Sequence, residues 1–204
     1  MYHRQMTGSE VSGDTREAIV RATYRALCAN GYADTTISSI AAEFEKSKSL
    51  LYYHYDGKDD LLEEFLRFVL DQLESELAAT DAPDAEAQFW SVVDQLLPPE
   101  PDAEAMRLRR ALVEARANAP HSATYHDRFE ESDEVILNRL AAAVDRGVET
   151  GAFRAVDPEP TAEFVCSTAY GAIERAVTLE DRRPIHEART GLERYVDGCL
   201  RAEE

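Results

Sequence analysis

Apolar residues recur three or four positions apart along most of this chain, which is the spacing of one buried helix face. The first such pattern begins at Asp14 and ends at Asn30-Gly31, a pair typical of a helix C-terminus. A second pattern follows Thr36, which can cap it, and a third covers about residues 48–55 after Ser47. Three helices in this order, the last two separated by a tight turn, predict a helix-turn-helix.

Every later pattern is also helical. No segment alternates apolar and polar residues with the two-residue period of a strand. Proline-containing segments at 98–101 and 157–160 punctuate the patterns. The further helices are predicted at about 58–79, 102–118, 125–149, 157–179 and 185–201, and between Pro83 and the prolines at 98–101 in a helix that contains Phe89, Trp90, Val93 and Leu97.

We therefore predict an all-α fold, with an N-terminal three-helix helix-turn-helix domain followed by a larger helical bundle. Residues 1–13 are polar and lack periodicity, so we expect a mobile tail there. The helix-turn-helix domain is predicted over residues 14–58, and the helical bundle over residues 59–204.

Charge changes along the chain near the same boundary. Residues 1–58 hold seven basic and seven acidic residues, whereas residues 59–204 hold 15 arginines, no lysine and 33 acidic residues, which accounts for the net charge of −18. All three lysines, Lys46, Lys48 and Lys58, fall in one window of the first segment. Phosphate repels an acidic surface, so a nucleic-acid partner is expected to bind the neutral segment.

Such acidity with so little lysine resembles the composition of proteins from salt-accumulating halophiles. A high net charge keeps a protein soluble, and concentrated salt screens the resulting self-repulsion. A merely acidic protein from a mesophile is the alternative, and composition leaves both origins open.

Cysteine spacing and hydropathy exclude several classes of protein. Cys28, Cys166 and Cys199 are odd in number, far apart and outside any CxxC pattern, which argues against a disulfide framework or a zinc site. No apolar run approaches the roughly 18 residues of a membrane span, and the N-terminus lacks the apolar core of a signal peptide. We expect a soluble, cytoplasmic protein with no membrane partner.

The lysine window coincides with the second helix of the helix-turn-helix, the element that enters the major groove of DNA. One exposed side of this helix is predicted to carry Lys48, Ser49, Tyr52 and Tyr53, and the core side Leu51 and Tyr55. Lysines at both ends and tyrosine hydroxyls between them suit contacts with a phosphate backbone. In the alternative interpretation the tyrosines are core aromatics, His54 is an ordinary surface histidine and the lysines form a solvated edge.

The run TTISSIAAEFEKSKSLLYYHYDGKDDLLEEF resembles the DNA-binding domain of the TetR/AcrR family of transcriptional regulators. The resemblance covers about residues 14–65 and includes Gly31-Tyr32 after the first helix and the pattern LYYHY..K.DLL. Its most specific part is the aromatic-aromatic-His-aromatic run, followed by a lysine three residues after Tyr55.

This resemblance implies which residues meet double-stranded operator DNA. Contacts from the second helix are implied for Thr36 and Ser38, base-edge contacts for Lys48, Ser49 and Leu50, and phosphate contacts for Tyr52, Tyr53, His54 and Lys58. Lys46 flanks the start of the recognition helix and joins this set. Leu50 is apolar where many relatives carry a polar residue, and it could contact a thymine methyl group. In molar salt, phosphate contacts lose value, so base and apolar contacts are expected to carry an unusual share of the affinity.

The resemblance also implies that residues 59–204 form a ligand-binding and dimerisation domain. The segment RGVETGAFRAVDPEPTAEFVCSTAYGAIERAV resembles the penultimate region of the family, in which two long helices of each subunit pair across a homodimer. The predicted dimer residues are Ala169, Ala172, Ile173, Ala176, Leu192, Tyr195, Val196 and Cys199. In the alternative interpretation these residues pack within one subunit.

Candidate ligand-binding residues are the aromatic and amphipathic side chains expected inside the bundle, since such pockets are mostly apolar with a few polar anchors. They are Phe65, Phe68, Trp90, Met106, Tyr125, Phe129, Phe164 and Tyr170, with Arg110 as an anchor for an anionic group. Each could equally be a core residue. His121 and His126 lie five positions apart, about 140° around a helix, so we predict no metal site and no cofactor.

The predicted function is that of a homodimeric repressor, which binds a palindromic operator and is released by a small lipophilic effector. A ligand-independent regulator and an activator remain as alternatives. An all-α enzyme is a third, but the chain lacks GxSxG, HExxH and a phosphate-binding glycine loop.

Overall fold

Helices account for most of the computed structural model, which describes residues 13–79 and 82–202. They are α1 (Gly13–Asp34), α2 (Ile37–Glu43), α3 (Lys48–His54), α4 (Lys58–Ala79), α5 (Ala85–Leu96), α6 (Ala103–Asn118), α7 (Ala123–Thr150), α8 (Pro158–Thr178) and α9 (Arg183–Tyr195). A 3-10 turn at Ala119–His121 precedes α7, and a π-helical turn at Val196–Leu200 follows α9. The all-α prediction is confirmed; the tail predicted at residues 1–13 lies outside the described residues, apart from Gly13.

The chain divides into two units between Phe65 and Leu66, which we call the small unit and the large unit. The division falls inside α4, whereas the sequence pattern placed it at the start of that helix. Residues 58–65 of α4 therefore belong to the small unit and the rest of the helix to the large unit. None of the helices in the described range has the length and apolarity needed to cross a bilayer.

The core of the small unit is built from one face each of α1, α2, α3 and α4. Its buried residues are Ile19, Ala22, Ala26, Ile40, Ala41, Phe44, Leu51 and Leu61. Thr36 caps α2, because its side chain accepts a hydrogen bond from the Ser39 backbone N–H at 3.1 Å and the Ser39 hydroxyl accepts one from the Thr36 N–H at 2.9 Å. Gly31 breaks the torsions of α1 with φ of +75°, a conformation that favours glycine.

The core of the large unit is formed mainly by α5, α7, α8 and α9. Its most deeply buried residues include Phe89, Leu97, Ile136, Leu140, Val144, Val165, Ala169, Ala176, Ile185, Leu192 and Val196. The end of the chain is tied to the loop before α8 by two backbone hydrogen bonds, from Arg154 N–H to the Leu200 carbonyl at 2.8 Å and from Ala202 N–H to the Ala152 carbonyl at 3.0 Å.

Two glycines near the end of α7 serve different purposes. Gly151 ends the helix in the left-handed conformation, with φ of +74°. Gly147 lies one turn earlier inside the helix, where a Cβ atom would come within 2.0 Å of the Phe153 ring. The Phe153 ring packs directly over the Gly147 backbone, and any larger residue at 147 would displace it.

Candidate functional site

The helix α3 presents polar and aromatic side chains to solvent. Lys48 and Ser49 are exposed, and the side chains of Tyr52 and Tyr53 are 53% and 78% exposed. Leu51, on the opposite side of the helix, is fully buried. Moving a large aromatic side chain out of water lowers the free energy of the system. Two adjacent exposed tyrosines on a seven-residue helix therefore indicate a surface that binds a partner. The interpretation of these tyrosines as core aromatics is wrong.

The lysines near α3 differ from the neighbouring arginines in having no acidic partner among the described residues. Lys46 donates to the Thr15 hydroxyl at 3.0 Å and Lys58 donates to the Ala33 carbonyl at 3.3 Å, while Lys48 makes neither a hydrogen bond nor an ion pair within residues 13–79 and 82–202. The small-unit ion pairs join Arg16 to Glu64, Arg21 to Glu17, and Arg25 to both Glu43 and Glu45. No carboxylate in the part of the chain that the structure describes thus neutralises the lysine charges, which can meet an external phosphate.

The other residues expected to contact DNA fall into two groups. Thr36 and Ser38 are exposed at the start of α2, and half-buried His54 packs edge-on against the Tyr53 ring, with centroids 4.9 Å apart. Leu50 requires a correction, because it is half-buried and packs against the small-unit core. A side chain committed to that packing is a poor reader of bases, so we remove Leu50 from the proposed DNA contacts.

A cavity of about 710 Å³ lies within the large unit. Its wall is mostly apolar and is built from α4, α5, α6, α7 and α8. Six of the lining residues come from α4: Phe68, Val69, Leu70, Gln72, Leu73 and Glu76. Ligand pockets commonly measure about 300–1,000 Å³ and have this mixture of apolar walls and few polar groups.

Three of the nine predicted ligand-binding residues line this cavity, namely Phe68, Phe129 and Tyr170. The aromatic residues Phe65 and Trp90 lie elsewhere, because their helices turn them towards other partners. Phe65 stacks on Tyr24 within the small unit, with ring centroids 6.2 Å apart.

The other four predicted residues, Met106, Arg110, Tyr125 and Phe164, also lie outside the cavity wall. Arg110 is exposed and forms an ion pair with Glu180 at 2.9 Å, so it is not an anchor for an anion. Phe164 is 49% exposed on the outer side of α8. Trp90 and Met106 pack against the large-unit core, and Tyr125 is buried at the start of α7. Helical spacing thus included two exposed residues, Arg110 and Phe164, and it does not tell a packed interior from a hollow one.

A polar cluster that the sequence did not reveal lies on the cavity wall. The Arg116 guanidinium donates two hydrogen bonds to the Asp133 carboxylate, at 2.8 and 2.7 Å, and the Tyr170 hydroxyl donates a third at 2.7 Å. The same guanidinium lies over the rings of Phe129 and Tyr170, with its central carbon 4.4 and 4.5 Å from their centroids. We call these four residues the Arg116 cluster.

The ionisation of this cluster follows from its burial and its charges. Burial alone would lower the pKa of Arg116, but the hydrogen bonds and negative charge of Asp133 outweigh it and raise that pKa. Burial and the charge of Asp133 also raise the pKa of the Tyr170 hydroxyl, which therefore keeps the proton it donates. Burial, with Asp133 and Glu163 nearby, raises the pKa of the Cys166 thiol to about 11.

Arg109, a second arginine on the cavity wall, has a different role. It donates to the carbonyls of Gln95 and Leu96, each at 3.2 Å, and so satisfies the free carbonyls at the end of α5. Burial lowers the pKa of its guanidinium. This arginine fixes the end of α5 beside the cavity.

The predicted dimer residues require a second correction. The side chains of Ala169, Ala172, Ile173, Ala176, Leu192 and Val196 are at most 9% exposed within a single chain. They pack against the interior of the large unit and leave no surface for a partner. Tyr195 is half-buried and Cys199 is exposed, so only these two of the predicted set are accessible.

The opposite faces of the same two helices are exposed and smooth. Phe164 on α8 contacts Tyr195 on α9, with ring centroids 5.1 Å apart. Gly191 on α9 is exposed and has no side chain, and a Cβ atom added there would meet nothing within 4 Å. We call the surface formed by Phe164, Ser167, Gly191, Tyr195 and Cys199 the α8/α9 face.

One exposed group near the start of α7 has the residue types of a metal site. Ligand atoms of His126, Asp127 and Glu130 lie within 4.8 Å of one another. All three side chains are exposed, and Nδ1 of His126 is 3.4 Å from an Asp127 oxygen, a contact that needs no ion. We assign no metal to this group.

Comparison with protein families matches both units of the chain. Residues 19–65 match the model described as bacterial regulatory proteins of the tetR family. Residues 85–201, more than half of the chain, match the C-terminal domain of BetI-type transcriptional repressors. Members of these families regulate transcription and are not enzymes, which removes the all-α enzyme from the alternatives.

Individual relatives agree with the family matches. A TetR transcription regulator from Haloarcula marismortui is 37% identical, with a TM-score of 0.84, and the match covers 92% of this chain and 99% of that chain. A transcriptional regulator from Saccharomonospora viridis, solved in complex with choline, shares the fold with a TM-score of 0.80 at 20% identity, over 94% of this chain and all of the other.

Two named regulators match over shorter stretches. HbdR from Aromatoleum sp. is 35% identical over 35% of this chain and 31% of its own length. BetI from Stenotrophomonas maltophilia is 30% identical over 39% of this chain and 42% of its own length. Together with the helix-turn-helix geometry, these matches show that the chain belongs to the TetR family of DNA-binding transcriptional regulators, with a C-terminal domain of the BetI type.

Proposed function

We propose that the protein is a homodimeric repressor that binds a palindromic operator and leaves it when a small, largely lipophilic effector enters the large-unit cavity. The observation that carries this proposal is that α4 belongs to both units. Its residues 58–65 lie in the small unit, and six of its later residues line the cavity. An effector that contacts those six residues acts directly on the helix that leads to the DNA-binding unit.

The exposed face of α3 supports the DNA part of the proposal. Tyr52 and Tyr53 carry hydroxyls that can donate to phosphate oxygens, and Lys48 adds a charge that none of the described carboxylates neutralises. Lys48 and Ser49 are exposed at the N-terminal end of this helix, the end that reads base edges in a helix-turn-helix. Thr36, Ser38, Lys46, His54 and Lys58 complete the proposed contact set.

A homodimer is supported by the α8/α9 face. Gly191 and the small Ser167 side chain allow two such faces to approach closely, and Phe164 with Tyr195 supplies apolar area that is otherwise left in water. Two-fold symmetry would then set two recognition helices about 34–36 Å apart, one turn of DNA, which requires a palindromic operator.

The size and lining of the cavity favour an effector over a ligand-independent regulator. A filled core would leave no space of about 710 Å³ beside α4. An effector needs only to prefer one arrangement of α4 over another, by about 1–3 kcal/mol, to change operator affinity about 5- to 150-fold.

The chemistry of the wall suggests a lipophilic effector with a cationic end. The faces of Phe129 and Tyr170 already hold one cation, the Arg116 guanidinium, and Glu174 adds a carboxylate to the wall. Aromatic faces next to carboxylates are a common site for substituted ammonium groups. The choline complex of the Saccharomonospora viridis regulator, which has the same fold, is consistent with this class of ligand.

A cavity-filling substitution tests the effector part of the proposal. Leu112 lines the cavity, and we expect Leu112→Trp to retain operator binding while losing release by any compound that releases the wild-type protein. Leu179→Trp is the matched control, because Leu179 is 60% exposed and outside the cavity. Fluorescence anisotropy of labelled operator, titrated with candidate organic cations, gives both quantities. Unchanged release from Leu112→Trp would contradict the assignment of this cavity.

A further inference from the structure

The Arg116 cluster has the composition of a binding site for a cation, and one of its own residues fills it. Two aromatic rings lie 4.4 and 4.5 Å from the guanidinium carbon, and the Asp133 carboxylate accepts both of its hydrogen bonds. Rings on two sides and a carboxylate on a third are the features that recognise substituted ammonium ions. Arg116, Phe129 and Tyr170 all line the cavity, so this arrangement faces the proposed effector space.

We propose that Arg116 is the built-in occupant of an organic-cation site, and that a cationic effector competes with Arg116 for the rings of Phe129 and Tyr170 and the Asp133 carboxylate. The inference rests on the proposed function in taking the large-unit cavity as the effector site. It adds the order of events: the guanidinium must leave before the effector can take its full set of contacts.

The cavity offers a second carboxylate for the displaced guanidinium. Glu174 lies on α8 one turn beyond Tyr170 and lines the same cavity. It makes no hydrogen bond or ion pair with any residue in the described ranges. A charge-assisted pair with Glu174 would offset the loss of Asp133, so that exchange of partners costs little.

The charge of the large unit favours a cation over an anion at this position. The second segment of the chain contains all of the net charge of −18, which raises the local concentration of cations. An anionic ligand at Arg116 would have to approach both Asp133, which already accepts three hydrogen bonds, and Glu174. Repulsion from two carboxylates opposes that mode of binding.

Competition by Arg116 lowers the apparent affinity for a cation by the fraction of time that the site is open. The substitution Arg116→Met keeps a long, unbranched side chain and removes the charge. Calorimetric titration of the full chain with tetramethylammonium chloride, at constant total chloride, should give a Kd at least about tenfold lower for Arg116→Met than for wild type. Choline chloride serves as a second probe.

The matched control is Arg110→Met, which removes the same charge from the same helix. Arg110 is exposed, pairs with Glu180 and lies outside the cavity wall, so this variant should bind tetramethylammonium like wild type. A decrease in Kd in both variants would indicate a change in net charge only and would overturn the proposal. Equal or weaker binding by Arg116→Met would also overturn it, because Arg116 would then be an anchor or a structural residue.

Loss of Arg116 leaves Asp133 without its counter-charge, so the variant could unfold without ligand. Tetramethylammonium should then restore its circular dichroism signal at a concentration where potassium chloride does not. Absence of such rescue would overturn the proposal.

A double-mutant cycle separates the role of Glu174 from direct binding. Glu174→Gln should weaken tetramethylammonium binding several-fold when Arg116 is present and have little effect in the Arg116→Met background. Equal weakening in both backgrounds would show that Glu174 contacts the ligand itself and would overturn the partner exchange.

Operator binding, measured in parallel, separates this inference from the function on which it rests. If Arg116→Met binds the cation more tightly but the cation does not release the operator, the cation site stands and its regulatory role is rejected. If other compounds release the operator and the Kd for tetramethylammonium is the same in Arg116→Met as in wild type, the repressor function stands and the competition by Arg116 is rejected.

Discussion

The two units of this protein differ in how their positive charges are paired. In the large unit, several arginines form ion pairs with carboxylates, as in the pairs of Arg116 with Asp133, Arg189 with Asp94 and Arg128 with Asp71. In the small unit, the arginines are also paired, but Lys46, Lys48 and Lys58 have no acidic partner among the described residues. Unpaired charge near α3 can act on a ligand outside the chain, whereas paired charge acts inside it.

This difference explains how an acidic protein binds an acidic polymer. Net charge describes long-range repulsion, which salt screens over about 10 Å at 0.1 M. Contact with DNA depends on the few groups that reach the phosphates, and we propose that around α3 those groups are the lysines and the exposed tyrosines. The position of the unpaired lysines near α3 therefore says more about a DNA partner than the net charge of −18 does.

The largest expected effect comes from separating the two subunits of the proposed homodimer. Gly191→Glu places a charged side chain on the α8/α9 face, where a Cβ atom meets nothing within 4 Å of the same chain. The folded subunit should not suffer, because Glu favours a helix by about 1 kcal/mol over Gly. We expect the light-scattering mass to fall from two chains to one, and operator affinity to fall about 10²- to 10⁴-fold as the second recognition helix is lost.

The control for this variant is Ala142→Glu, which adds the same charge at an exposed position on α7. It should remain dimeric. A Gly191→Glu protein that keeps the mass of two chains would place the dimer on another surface.

The comparison between lysines and arginines is sharpened by removing one of each from the small unit. Lys48→Ala should weaken operator binding by about 1–3 kcal/mol, or roughly 5- to 150-fold, because its charge is free to meet DNA. Arg21→Ala removes an equal charge that is already paired with Glu17 and should change affinity little. Fluorescence anisotropy titrations of labelled operator at one salt concentration give the affinity of both variants. An equal loss of operator affinity in Lys48→Ala and Arg21→Ala would contradict the distinction between paired and unpaired charge.

In the large unit, paired charge should contribute to stability, and more so where it is buried. Asp133→Asn leaves Arg116 without its counter-charge in a partly buried site, and we expect a loss of about 1–3 kcal/mol in the free energy of unfolding. Glu180→Gln breaks the exposed pair with Arg110 and should cost less than about 0.5 kcal/mol. Urea unfolding measures both, and equal effects would show that burial does not distinguish the two pairs.

The smallest effect concerns cysteine reactivity at the two sides of the α8–α9 layer. Burial raises the pKa of Cys166 to about 11, so at pH 8 its thiol should remain protonated and resist iodoacetamide. Cys199 is exposed in the single chain and should react first in the monomeric Gly191→Glu variant. Mass spectrometry of the alkylated protein gives the order, and early modification of Cys166 would contradict its burial.

Local sequence signals were sufficient for the small unit. Thr36 with its capping partner, Gly31 after the first helix and the short patterns between them are decided within a few residues, and the structure has each helix close to its predicted range. Leu50 is the exception, because its base contact was implied by the family resemblance alone, whereas its packing against the small-unit core depends on tertiary contacts.

The large unit shows where sequence reasoning stops. The stripe Ala169–Ala176 was correctly identified as an apolar helix face, yet periodicity does not say whether the same chain or a second copy covers that face. Contacts with residues such as Leu140 and Val144, far away in sequence, decide it. The cavity likewise depends on contacts between distant parts of the chain, because it is the space between five helices. No pattern within one helix predicts it.

The Arg116 cluster could not have been found by any spacing rule. Arg116, Phe129 and Tyr170 lie on three helices, and Asp133 is one of many acidic residues in the segment. The halophilic origin that the composition suggests is not tested by the structure and stays a prediction.

The most direct test of the central claim is selection of genomic DNA fragments by the purified protein at high potassium chloride concentration, beside the double variant Lys48→Ala/Tyr52→Ala. The wild-type protein should recover fragments that share a palindrome with half-sites one helical turn apart, and the variant should recover none. Recovery of the same fragments by both proteins, or of no shared palindrome by the wild type, would contradict the assignment of α3 and its lysines as the DNA-binding surface.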